Sequence, residues 1–113
     1  MEPRLKAEIW IKAHIRKCAF WNIPVFVVHR GDETAGIPLI KINRLNGNCM
    51  CLSPMTDFET GARQWYQATG PDWVAEDIAD TYIQKQLKND RDLWVIEIED
   101  AEGRHMLDEK IIS

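Results

Sequence analysis

Residues 92–100 read DLWVIEIED, a run of large apolar side chains with carboxylates inside it and at both ends. Neighbouring residues of a β-strand point to opposite faces of the sheet, so the run can be sorted into two sets. One set is wholly apolar and the other mixes apolar and acidic residues. The stretch therefore predicts a strand with one buried face and one partly polar face. The two sets are Trp94, Ile96 and Ile98, against Leu93, Val95, Glu97 and Glu99.

Other stretches also have the composition of strands. Residues 23–31, IPVFVVHRG, are rich in β-branched and aromatic side chains, and the turn-like GDETAG closes them. Residues 37–44 and 48–53 flank an Asn-Gly pair, which predicts an antiparallel hairpin. Residues 62–69, ARQWYQAT, predict a further strand, with a short helix as the alternative.

Two stretches favour helices. In residues 5–20, apolar side chains recur at helical spacing, although a strand over the first few residues is an alternative. Residues 71–89 begin with Pro71, carry acidic residues in their first turns and have Lys85 and Lys88 near their end, which complements the helix dipole. The sequence AEGR, residues 101–104, predicts a turn before a short terminal segment.

The order of these elements predicts the fold class. The chain has 113 residues, of which 45% are hydrophobic, and it contains no repeat and no linker-like stretch. We therefore expect one domain over residues 1–113. Successive hairpin-connected strands with helices at two points predict an α+β fold, an antiparallel sheet of about five strands with two helices packed on one face.

The cysteines and the apolar segments indicate a compartment. Cys18, Cys49 and Cys51 are an odd number for a disulfide framework. No apolar segment approaches the ~20 residues that span a bilayer. The basic residues spread through the N-terminal stretch do not resemble a secretory signal. We expect a cytoplasmic protein without membrane contact.

Charge is divided unevenly along the chain. The formal net charge is −4, but residues 1–56 hold eight basic and four acidic side chains, whereas residues 57–113 hold six basic and fourteen acidic ones. The acidic half would repel phosphate backbones, so nucleic-acid binding is not expected. Basic residues cluster in the first half of the chain, in and just before the first predicted helix. The members of this basic patch are Arg4, Lys6, Lys12, Arg16 and Lys17.

The mixed face of the sheet is the candidate site. Glu97 and Glu99 would stand about 7 Å apart along one strand, where they could bind a divalent ion or act as an acid and a base. The alternative is a solvated face on which Glu and Lys pair across strands. Residues 23–31 sort into Val25, Val27 and His29 on this mixed face, and Phe26 and Val28 on the apolar one. The candidate site residues are Glu97, Glu99, Lys41, His29 and Asn43, with Cys49 and Cys51 on the same face.

Motifs for the common chemistries are missing from the sequence. Cys49 and Cys51 lack the paired ligand spacing of a zinc site. No serine lies in a GxSxG turn, and no glycine-rich loop carries the Lys and Ser or Thr that bind phosphate. We therefore expect no metal and no cofactor.

Four segments together resemble a known family. They are WIKAHIRKC (residues 10–18), VVHRGDETAG (27–36), LIKINRLNG (39–47) and DLWVIEIEDAEGR (92–104). In their order and spacing they are similar to a family of small alphaproteobacterial proteins of unknown function, DUF1491. The resemblance covers nearly the whole chain. It implies a soluble bacterial protein and contributes no catalytic residues.

Two functional hypotheses follow. The first is a non-enzymatic protein-binding or accessory module, whose partner is another protein or a second copy of the chain, bound through the basic helix or an exposed sheet edge. The second is a small metal-dependent or acid-base enzyme that uses Glu97 and Glu99, with Lys41 and His29 beside them.

Overall fold

A computed structural model of the chain describes residues 5–112. Two helices and seven strands make up the fold. In chain order they are α1 (Ala7–Phe20), β1 (Val25–His29), β2 (Pro38–Asn43), β3 (Asn48–Thr56), β4 (Arg63–Gln67), β5 (Val74–Ala75), α2 (Glu76–Asn89), β6 (Trp94–Glu99) and β7 (Ile111–Ile112).

The strands form one mixed sheet in the order β1-β6-β2-β3-β4-β7, and β5 pairs with β3. The α+β class is confirmed, but the expectation of an antiparallel sheet of about five strands is wrong. Strand β6 runs parallel to β2, and β7 runs parallel to β4. Helix α2 packs on one face of the sheet and connects β5 to β6, and β6 lies between β1 and β2. Hairpin signals could not predict this pairing, because they report only on strands joined by short turns.

The two helices cover opposite faces of the sheet, which corrects the prediction that both pack on one face. Ile11 and Cys18 of α1 pack in a core with the predicted apolar face. Ala79 and Ile83 of α2 pack in a second core with the other face. The first core includes Ile40, Ile42, Met50, Leu52, Trp94, Ile96 and Ile98, and the second includes Leu39, Cys49, Cys51, Leu93 and Val95.

Most elements lie where the sequence predicted them. The hairpin of β2 and β3 turns at residues 44–47, where Leu45 and Gly47 have positive φ. The second helix begins later than Pro71 because Val74 and Ala75 first pair with the start of β3. No helix within residues 5–112 combines the length and the apolar composition needed to cross a bilayer.

Strand β1 is an edge strand of the sheet, and among the described strands it pairs only with β6. Val25 and Val27 lie opposite Ile98 and Ile96, and Phe26 lies opposite Glu97. Directly paired residues share a face, so Val25 and Val27 belong to the α1 side and Phe26 to the α2 side. The predicted sorting of Val25, Val27 and Phe26 is therefore wrong. A bulge after Val27 shifts the register and returns His29 to the α2 side, opposite Val95.

Candidate functional site

Lys41 lies at the centre of the predicted site and is almost fully buried, with 4% of its surface exposed. Its Nζ donates hydrogen bonds to Asp80 Oδ1 at 2.7 Å and to Glu76 Oε2 at 2.8 Å. Glu97 Oε1 lies 3.3 Å from the same nitrogen. One ammonium group is therefore surrounded by three carboxylates.

Three elements position these side chains. Lys41 and Asn43 are two residues apart on β2 and so share the face that α2 covers. Glu97 is the direct neighbour of Lys41 on the parallel strand β6. Glu76 and Asp80 are four residues apart in the first turns of α2, which places them on one side of the helix.

Asn43 links two of the carboxylates. Its Nδ2 donates to Glu97 Oε2 at 3.0 Å and to Glu76 Oε2 at 3.3 Å, while its Oδ1 accepts the backbone N–H of Leu45 at 2.8 Å. Lys41, Asn43, Glu76, Asp80 and Glu97 are called the Lys41 cluster below. The cluster connects the middle of the sheet to α2 and holds the turn that follows β2.

The charge of Lys41 is stabilised by its surroundings. Burial alone would lower the pKa of this lysine, because it disfavours the ammonium form. The hydrogen bonds to Asp80 and Glu76 and the charge of Glu97 outweigh burial, so the pKa of Lys41 is raised above its ordinary value. A lysine held in its charged form at neutral pH serves neither as a base nor as a nucleophile.

The remaining predicted site residues lie outside the Lys41 cluster. The Nδ1 atom of His29 lies 2.8 Å from the carbonyl oxygen of Leu93, toward the other end of β6. Glu99 is opposite Asn43 in the strand register, but its carboxylate bonds to no side chain within residues 5–112. Glu97 and Glu99 thus have different surroundings, because only Glu97 contacts Lys41 and Asn43.

Cys49 and Cys51 lie on β3, directly opposite Asn43 and Lys41. Both are fully buried, and burial raises the pKa of Cys49 to about 11 and the pKa of Cys51 to about 12. Their thiols are therefore protonated at neutral pH, in the form that binds metals poorly. Within residues 5–112, no three His, Cys, Asp or Glu side chains are placed to hold a metal ion.

Sequence reasoning missed Glu76 and Asp80 as site residues. It treated the acidic residues at the start of the second helix only as partners of the helix dipole. One available signal was their spacing of four residues, beside Ala79 and Ile83 on the buried side of the same helix. A buried lysine at the middle of an otherwise apolar strand also needs carboxylates close to it.

A second candidate region surrounds strand β1. Five large apolar side chains between residues 20 and 28 are exposed, and we call them the apolar edge surface. Phe20 is 82% exposed, and its ring meets that of Trp21 edge-on at 5.8 Å. These residues are neighbours in the chain, and within β1 Phe26 and Val27 expose apolar side chains on opposite faces of the sheet. The members of the surface are Phe20, Trp21, Phe26, Val27 and Val28.

The backbone of β1 has an open side. The N–H of Glu99 donates to the carbonyl oxygen of Pro24 at 3.0 Å. Hydrogen-bonded and non-hydrogen-bonded positions alternate in an antiparallel pair, so Phe26 also directs its backbone groups toward β6. The N–H and C=O groups of Val25 and Val27 therefore point to the outer edge, where no strand of residues 5–112 pairs with them.

The comparisons with known proteins agree on one family. The family model DUF1491, described as a protein of unknown function, matches residues 5–108 of this chain. The chain belongs to the DUF1491 family. No functionally curated protein matched the chain.

Solved structures of the family have the same fold. A crystal structure of a DUF1491 family protein from Caulobacter crescentus is 34% identical, covers 96% of this chain and 99% of its own, and superposes with a TM-score of 0.86. An NMR structure of a DUF1491 family protein from the same bacterium is 34% identical, with coverages of 99% and 100% and a TM-score of 0.83. Protein Atu0922 from A. tumefaciens is 23% identical, with both coverages 86% and a TM-score of 0.72, which relates the two by fold alone.

Proposed function

We propose that this chain is a non-enzymatic protein-binding module and that it binds its partner through the outer edge of β1 and the apolar edge surface beside it. The observation that carries the proposal is an open strand edge with apolar side chains on both of its faces. Natural proteins usually protect such edges with charges, prolines, bulges or a covering segment, and the bulge of β1 comes only after Val27. Strand β1, VFVVH, contains no proline and no formally charged residue.

An edge of this kind suits β-strand addition. An incoming strand gains backbone hydrogen bonds from the open edge and specificity from the side chains on either face. Val25 and Val27 supply the outward backbone groups, while Phe26, Val27 and Val28 supply side chains that are 46–53% exposed. The partner in this proposal is a protein with an apolar strand of its own.

The basic face of α1 is less suited to the role. Lys12 forms an ion pair with Glu8 at 2.7 Å, and Lys17 forms one with Asp108 at 2.7 Å. Both lysines thus already have acidic partners in the chain. Arg4, a further member of the predicted basic patch, lies outside the described residues. We therefore assign the contact to β1.

We place the binding function in the cytoplasm. The cysteines Cys18, Cys49 and Cys51 are all unpaired and buried. Free thiols are typical of proteins from reducing compartments. Secretion of the chain to an oxidising compartment in its native host would argue against this placement.

The proposal is tested by immobilising the wild type and a β1 variant and comparing which other proteins each of them binds and retains. Phe26→Lys puts a charge on the exposed face of β1. Ile78→Lys is the matched control, because Ile78 is also 53% exposed but lies on α2. Both variants and the wild type would be immobilised at equal density, and the retained proteins would be quantified by mass spectrometry.

We expect the wild type and Ile78→Lys to retain the same proteins and Phe26→Lys to lose them, with additional copies of this chain counted among those proteins. Retention that is equal for the wild type and both variants would overturn the proposal, as would a wild type that retains nothing above the background of the empty support. Far-ultraviolet circular dichroism verifies that each variant is folded.

A further inference from the structure

We propose that the partner of the apolar edge surface is a second copy of this chain, with two β1 strands pairing antiparallel about a two-fold axis at Phe26. The inference rests on the proposed function and names the occupant of that same edge. The two seven-stranded sheets would join into one continuous sheet through their β1 strands.

The outward backbone groups set the register of this pairing. Val25 and Val27 direct their N–H and C=O groups to the open edge, as the bond from Glu99 to Pro24 requires. All of these groups are used when Val25 of one copy faces Val27 of the second, and the reverse. Four hydrogen bonds then join the strands, and Phe26 faces Phe26 of the second copy at the close, non-hydrogen-bonded position.

The charge distribution fits a pairing of identical strands. Residues 18–29, CAFWNIPVFVVH, contain no Asp, Glu, Lys or Arg, although these residue types make up 28% of the whole chain. In the proposed register Pro24 faces Val28, and Asn22 faces Arg30. No like charges meet across the axis. Because like charges on paired strands are destabilising, a segment without charged side chains can pair with itself at no such cost.

Pairing of the two β1 strands alone would bury too little surface for a stable interface, so we include Phe20 and Trp21 in the contact. Stable interfaces bury about 1,200–2,000 Å² in total, more than two five-residue strands provide. Phe20 and Trp21, 82% and 54% exposed, extend the apolar surface beyond β1 toward the end of α1. We therefore expect an association at the small end of the range, which dissociates on dilution.

Sedimentation equilibrium over a range of about 1 µM to 1 mM measures this association. We expect the wild type to approach twice the 13.1 kDa mass of one chain as concentration rises. Phe26→Lys alone and Phe26→Glu alone would be monomeric, because each places two like charges together on the axis. An equimolar mixture of the two variants would restore the dimer, since opposite charges then face each other.

A second variant tests the backbone register independently of side-chain charge. Val27→Pro removes an N–H that points to the open edge, so the pairing of β1 with β6 keeps all its hydrogen bonds. We expect this variant to remain folded and to become monomeric. Ile78→Lys, of matched exposure on α2, should dimerise as the wild type does.

Two results would overturn the inference: a wild type that is monomeric up to the highest concentration, or a dimer that persists in Phe26→Lys and Val27→Pro. The first result, together with retention of a different protein through Phe26, would overturn self-pairing and leave the proposed function standing. A wild type that neither dimerises nor retains any other protein would overturn both the inference and the proposed function.

Discussion

The ammonium group of Lys41 lies 2.7 Å from the carboxylate of Asp80, so the buried centre of β2 is joined to α2 by a charged hydrogen bond. The partially apolar face of the sheet is thereby covered by a helix whose own first turns are acidic. The Lys41 cluster fixes the position of α2 on the sheet, and its carboxylates stabilise the charged form of the Lys41 ammonium.

Removing the Lys41 ammonium should destabilise the protein. Lys41→Met keeps most of the side-chain volume but leaves three carboxylates facing one another. Breaking a fully buried ion pair costs 3–5 kcal/mol, and because Glu76 and Asp80 are about half exposed we expect a loss of about 2 kcal/mol. Urea unfolding measures the change.

The control for this prediction is Lys12→Met. Lys12 lies at the same 2.7 Å distance from a carboxylate, that of Glu8, but its side chain is 66% exposed. We expect a loss below about 0.5 kcal/mol. Equal losses in the two variants would show that burial of the Lys41 cluster contributes nothing to the free energy of unfolding.

Asp100 should make stability depend on pH. The side-chain hydrogen bonds from Arg104, at 3.0 and 3.1 Å, and its backbone N–H hold the pKa of Asp100 below its ordinary value, although burial opposes this. A lowered pKa in the folded protein stabilises it above the pKa of the unfolded chain, about 3.9. That stability is lost as the pH falls through the folded-state pKa.

The comparison of wild type with Asp100→Asn isolates this effect. Because Arg104 is 45% exposed, we expect the wild type to be more stable by about 1 kcal/mol at pH 6. Urea unfolding between pH 6 and pH 2.5 should show this difference shrinking once the pH falls below about 4. A difference that stays constant over the whole range would contradict the assigned role of the Asp100 carboxylate.

Divalent cations should not stabilise the protein through Glu97. The ammonium of Lys41 occupies the position among Glu76, Asp80 and Glu97 that a cation would take. Thermal melts of the wild type and of the Glu97→Gln, Glu99→Gln double variant, with Mg²⁺, Mn²⁺ or Zn²⁺, measure the effect. We expect equal melting temperatures with and without each cation.

If a cation did bind at Glu97 and Glu99, the rise in stability of the wild type would be large enough to measure. A cation at a hundred times its dissociation constant adds about 2.7 kcal/mol to the free energy of unfolding. In a domain of this length that corresponds to a rise on the order of 10 °C. Such a rise in the wild type, absent from the double variant, would favour the alternative of a metal-dependent enzyme.

The sequence predicted individual strands and the hairpin because these depend on patterns among residues that are close together in the chain. Alternation in residues 92–100 separates Ile96 from Glu97, and the Asn-Gly pair at residues 46–47 closes a hairpin. Strand order is a different matter. The parallel pairing of Lys41 with Glu97 joins residues far apart in the chain, and no turn between them reports which strand lies beside which.

The errors at Phe26 and Asp80 have physical causes. Phe26 was placed on the wrong face because strict alternation cannot include the bulge that follows Val27. Asp80 was missed because a strand pattern does not reveal which helix will cover it. Lys41 was recognised as a site residue, but its partners are set by the position of α2 over the sheet.

Amide hydrogen exchange at single residues of β1 tests the central claim, that the outer edge of this strand pairs with a second copy of the chain. At low protein concentration we predict rapid exchange at Val25 and Val27 and slow exchange at Phe26, whose N–H faces β6. At a concentration where nine-tenths of the chains are paired, exchange at Val25 and Val27 should slow about tenfold. Rates at Val25 and Val27 that stay fast and equal at both concentrations would contradict the pairing of β1 with a second copy.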